Sequence, residues 1–191
     1  MTTVEHTGQV IGYLSGLLLG GHYAAKTLFD DGQCALTLYE VVNTDGTALT
    51  RYNVVYITFK TGDIDLEKYR VFLATYAATL QLLTYRYYMV VDTYPVAMHD
   101  KRRLLGLVKM FTAVNTEMTP CHQARLLCTV VVISSPVVRV FINSVLALFY
   151  KPLRPLMFVA GFDEFRGFLE AQVAIDGEIF QGLHDGRDAQ A

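Results

Sequence analysis

The chain has 191 residues, 52% hydrophobic and 18% charged, with 16 Lys and Arg against 18 Asp and Glu and a formal net charge of −2. That length suits one domain with room for an appended arm, and the near-balance of charge excludes a nucleic-acid binder working by bulk electrostatics. Charged residues make up about 25% of an average soluble protein; with less charge than that and a mean hydropathy of +0.31, the chain is either held in a membrane or largely covered by a partner.

From Thr7 to Ala25 there is no Lys, Arg, Asp or Glu, a run of 19 residues in which Gly12, Gly16 and Gly20 stand four apart. Small residues at that spacing let helices approach closely, and the run nears the roughly 20 residues of a membrane span. Gln9, Ser15 and His22 dilute its hydrophobicity, and no basic stretch precedes it as in a secretory signal. The reading is an apolar helical arm over residues 1–33 that docks on the domain or a neighbouring subunit through Gly12, Gly16 and Gly20.

Cys34–Val42 and Tyr52–Phe59 alternate and are rich in β-branched and aromatic residues, with Asn43-Thr-Asp-Gly46 between them, so they predict a hairpin. The period then changes. Asp63 or Asp65 can cap a helix carrying Leu66, Tyr69, Phe72, Leu73, Tyr76, Leu80 and Leu83 at three-to-four spacing. Tyr87–Val91 is a short apolar strand ended by Asp92, and a second helix starts near Asp100 and carries Leu104, Leu105, Val108, Phe111 and Val114. Leu126–Ile133 is a fully apolar strand, Pro136 to Tyr150 a third helix, Leu156–Val159 a fourth strand, and Phe162 to Ala171 a closing helix. Residues 173–191 form a polar tail. Strands alternating with helices predict an α/β domain over 34–172, with a mostly parallel sheet of four to five strands and four helices. Near-continuous apolar strands predict burial on both sheet faces.

Three cysteines, Cys34, Cys121 and Cys128, are an odd number with no paired spacing, which suits a reducing intracellular compartment; the expected place is mitochondrial or cytoplasmic and membrane-peripheral, with a bilayer span by Thr7–Ala25 as the weaker alternative. Cys121, His122 and Cys128 lack the four closely spaced ligands of a structural zinc site. No Walker loop, nucleophile elbow or HExxH occurs. His99 and Asp100 read as a loop residue and a helix cap, Ser134-Ser135-Pro136 as a turn into a helix, and Tyr85-Arg-Tyr-Tyr88 as packing at a strand start. The sequence thus presents no convincing catalytic residue, and nothing in it asks for a metal or a cofactor.

The order hairpin, α, β, α, β, α, β, α over 34–172 resembles the STAS domain, the family of bacterial anti-sigma-factor antagonists and of anion-transporter tails. Asp92-Thr-Tyr-Pro-Val-Ala-Met-His-Asp100 reproduces that family's interval between an Asp ending the middle strand and an Asp opening the next helix. Val96 and Met98 stand at its apolar positions. Where switching members carry the phosphorylated Ser, this chain has Lys101, followed by Arg102 and Arg103, so that regulation does not carry over. Three cations at a helix N-terminus oppose the dipole at a cost of a few tenths of a kcal/mol. They point to an acidic partner surface or a phospholipid headgroup, with a solvated face as the plain alternative. CRAL-TRIO lipid-binding domains offer a second resemblance, carried by Ile133-Ser-Ser-Pro136, the apolar helix from Val137 and the strand Leu156–Val159. The first implies a non-enzymatic interaction module serving as structural or accessory subunit of a larger assembly; the second implies a carrier of a lipid or other apolar molecule.

Overall fold

A computed structural model describes residues 21–43, 50–93, 101–149 and 151–161, together with 163–165, 167–168 and 171–172. In chain order the elements are β1 (Gly21–Asp30), β2 (Cys34–Asn43), β3 (Thr50–Phe59), α1 (Leu66–Leu82), β4 (Arg86–Asp92), α2 (Lys101–Glu117), α3 (Thr119–Arg125), β5 (Leu126–Val132), α4 (Pro136–Phe149) and β6 (Leu156–Val159). Residues 163–165, 167–168 and 171–172 are helical.

The α/β class is as expected, but the sheet is mixed rather than mostly parallel and has six strands rather than four to five. β1 pairs antiparallel with β2 and β2 antiparallel with β3, whereas β3–β4, β4–β5 and β5–β6 are parallel. The extra strand, β1, replaces the helix expected over the end of the N-terminal arm, while residues 1–20 lie outside the described residues. The physical reason is a tight turn. Asp31 Oδ1 accepts from the amides of Gln33 at 2.9 Å and Cys34 at 2.8 Å, and Gly32 holds a φ of +83° that favours glycine. The chain folds straight back there, and the β2 edge offers residues 21–30 a ladder of backbone hydrogen bonds that an isolated short helix cannot match.

Spatial order follows sequence order from β1 to β6 without reversal. Each parallel strand joins on the same side of the one before it. Right-handed crossovers then place α1, α2 and α4 on one face, where α2 packs on both α1 and α4. Ile57, Val91, Val131 and Phe158 stand in register beneath this helical layer. Tyr69, Phe72 and Tyr76 of α1 stack along the helix with ring centroids 5.6 and 6.4 Å apart, filling the space above β2–β4. Asp65 caps α1, its side chain accepting from the amides of Glu67 and Lys68, as the apolar spacing predicts.

The opposite face carries Val54, Tyr56, Val90, Cys128, Val130 and Val132, all buried, and Phe165 and Phe168 pack against it. β4 and β5 are thus buried on both faces, which explains their unbroken apolar sequence. In an open doubly wound sheet, ligands sit where strand order reverses; among the described strands there is no such point. The described residues offer the helical layer and the outer surface as places for a site.

Candidate functional site

Lys101 opens α2, Arg102 is exposed in its first turn, and Arg103 faces the loop before α1. Arg103 Nε donates to the Ile64 carbonyl at 2.8 Å and its Nη1 pairs with the Asp63 carboxylate. Arg103 therefore ties α2 to the start of α1, while Arg102 is exposed. Gly12, Gly16, Gly20, His99 and Asp100 lie outside the described residues. Asp92, at the matching end of β4, is buried and accepts from the Tyr56 hydroxyl at 2.7 Å. Burial first, and the Asp92 charge second, push the Tyr56 phenol far up, so it stays a donor.

Two more buried polar pairs hold the layers together, one between α1 and α2 and one between β4 and α3. The Tyr76 hydroxyl donates to Asn115 Oδ1 at 2.9 Å. The Tyr87 hydroxyl and His122 Nδ1 lie 2.7 Å apart, and burial pulls the His122 pKa down to about 4. Among the described residues, no three His, Cys, Asp or Glu side chains gather in a way that could hold a metal ion, and no helix is long and apolar enough to cross a membrane.

The outer surface of α4 is the most distinctive feature of the exterior. Val137, Val140 and Leu148 are 71%, 67% and 78% exposed. Among the polar residues of this helix, Ser144 Oγ donates to the Val140 carbonyl at 2.8 Å and Arg139 pairs with Glu164 at 3.5 Å, while Asn143 is exposed. Large apolar side chains exposed together and rimmed by polar ones mark an interaction surface. Beside it runs β6, whose four residues pair only with β5 among the described strands and leave Met157 exposed. An open groove of about 610 Å³ follows this edge between Val140, Asn143 and Ala147 of α4 and Leu156, Met157 and Phe158. The mainly apolar sequence of Pro136–Phe149 carries this signal, although only its lipid-facing use is expected there.

Under the same helix lie two cavities. One, of about 90 Å³, is lined by Phe59, Leu104, Leu107, Val108, Val138 and Ile142 among others. A second, of about 50 Å³, is bordered by Met89, Thr112, Asn115, Thr129 and Arg154. Phe111, Val131 and Leu146 belong to both walls. Small-molecule sites usually measure about 300–1,000 Å³, so a bulky lipid does not fit either cavity as it stands.

No family model, curated protein or solved structure matches the chain.

Proposed function

We propose that this chain is a STAS-like, non-enzymatic interaction module, an accessory subunit of a larger intracellular assembly that docks on a partner polypeptide through α4 and the edge of β6 that no other described strand occupies. The carrying observation is the exposed apolar strip of Val137, Val140 and Leu148 beside the groove along β6. Contiguous apolar surface rimmed by polar residues marks interaction sites, and an edge strand next to a groove offers both backbone hydrogen bonds and side-chain pockets to an incoming chain. The low overall charge supports the same reading, since an exterior hidden in an interface needs fewer charges. A membrane surface is a poorer fit to this face, because its Arg139 already pairs with Glu164 and headgroup binding draws on clustered cations. A carrier of a large lipid, the reading by likeness to CRAL-TRIO domains, is disfavoured by cavities of about 90 and 50 Å³.

The test is native mass spectrometry of the protein isolated from its own cells, as wild type and as the V140E/L148E double variant. Both substitutions sit on exposed positions, so the variant should keep its circular dichroism spectrum. Loss of the complex with the fold retained supports the docking face. A variant that assembles like the wild type overturns it.

A further inference from the structure

Thr112 breaks a pattern kept elsewhere in the same molecule. Thr75, Thr79, Thr116 and Ser144, all within helices, each donate to the carbonyl four residues back, at 2.8 to 3.1 Å. Thr112 is 7% exposed, and among the described residues its hydroxyl oxygen has no hydrogen-bond partner. Leaving a buried hydroxyl unpaired costs about 1–3 kcal/mol, yet the usual helical remedy is not taken here.

Thr112 lines the 50 Å³ cavity together with Asn115 and Arg154. Arg154 Nη2 is oriented by the Gln123 carbonyl at 2.9 Å, and among the described residues no carboxylate pairs with the Arg154 guanidinium. The adjoining 90 Å³ cavity, which shares Phe111, Val131 and Leu146 with it, is walled mainly by apolar side chains, with Tyr69 and Thr93 also on its lining and the Thr93 hydroxyl already donating to the Val132 carbonyl. The smaller cavity therefore carries a buried unpaired hydroxyl and, at its solvent-exposed border, the Arg154 cation, while the larger one is mostly hydrocarbon. That is the polarity of a short amphipathic anion.

We infer that the space between α2, α4 and the sheet binds a short apolar carboxylate, its alkyl chain in the larger cavity and its carboxylate between the Thr112 hydroxyl and the Arg154 guanidinium. Size sets the class. The two cavities together approach the roughly 150 Å³ that accommodates a benzene ring, which selects an acid of about six carbons over a fatty acid of membrane length. The guanidinium supplies a charge-assisted bond to the carboxylate, and the Thr112 hydroxyl gains the partner it lacks. The site uses the inner face of α4 (Val138, Ile142 and Leu146) rather than the exposed Val137, Val140 and Leu148, although Leu146 and Phe158 also border the groove along β6.

Isothermal titration of the full chain with hexanoate, hexanol and palmitate tests this. Hexanoate should bind, with hexanol at least about tenfold weaker, a difference of about 1.4 kcal/mol, and palmitate giving no saturable signal. R154Q should weaken hexanoate by a similar factor. T112V should weaken hexanoate while leaving the unliganded protein as stable as the wild type or more so, because it removes an unpaired buried hydroxyl. I142F, which fills the larger cavity, should abolish binding with the melting transition retained. Absence of hexanoate binding at millimolar concentration overturns the inference. So do equal affinities for hexanoate and hexanol, or full hexanoate affinity in both R154Q and T112V.

Discussion

The Tyr56 hydroxyl lies 2.7 Å from Asp92 Oδ2, and both residues are buried at the C-terminal end of adjacent parallel strands. The phenol faces a carboxylate out of reach of water, so the bond is charge-assisted and costly to break. Y56F keeps the ring and deletes one donor. Its expected effect is a loss of about 1–3 kcal/mol of unfolding free energy, read from guanidinium denaturation with an unchanged slope. A loss below 0.5 kcal/mol would show that water or another donor replaces the phenol.

His122 makes stability depend on pH in mildly acid solution. Its folded pKa of about 4 lies below the ordinary 6.5 because burial disfavours the cation. Between those values the unfolded chain binds the proton and the folded one does not, so stability is complete above pH 6.5 and declines as the pH falls towards 4. The full loss is on the order of 3 kcal/mol. Denaturation midpoints at pH 7 and pH 4.5 should therefore diverge for the wild type and converge in H122Q. Equal pH slopes in the two proteins would place the titrating group elsewhere.

Gly32 is required for its backbone and not for space. A Cβ there meets nothing within 4 Å, but φ is +83°. G32A should cost about 1–2 kcal/mol through left-handed strain alone, and the hairpin between β1 and β2 should be the first region to exchange its amides faster. An alanine variant with unaltered exchange in residues 21–43 would contradict this account of the turn.

Arg103 serves the fold through its bonds to Ile64 and Asp63. Because the pair is partly exposed, R103A should destabilise by only about 1 kcal/mol. The nearby start of α1 should loosen in hydrogen exchange. If R103A leaves stability untouched and only weakens association with a partner, its interaction role outranks the structural one.

Much of the fold is legible from periodicity and caps. Asp65 caps α1 as the spacing around Leu66–Leu83 implies, and the apolar runs at Tyr87–Val91 and Leu126–Ile133 are the doubly buried strands. β1 is hidden because the charge-free stretch before it suggests one continuous helix, and because Ala24 and Ala25 are weak strand formers. The signal that could have revealed it is Asp31-Gly32, a hairpin dipeptide spent on the end of the arm. α3 escapes for a related reason: Pro120 marks a helix start, yet seven residues leave little periodicity to read. The exposed strip of α4 is visible in part, since Pro136–Phe149 is mainly apolar. Which side faces out depends on where α2 and β6 sit. The paired cavities are invisible in the sequence, because a void is what residues from α1, α2, α4 and four strands fail to fill.

Strand order equal to sequence order has a consequence for how the protein is made. Each new strand finds its neighbour already synthesised, so loop closures stay local and relative contact order is low for a sheet of this size. Growing from the ribosome, the sheet can be laid down one strand at a time, with β1 to β3 as its seed. β6 comes last, and until it arrives β5 is the growing edge. Among the described strands, the edge beside α4 is therefore the last to form.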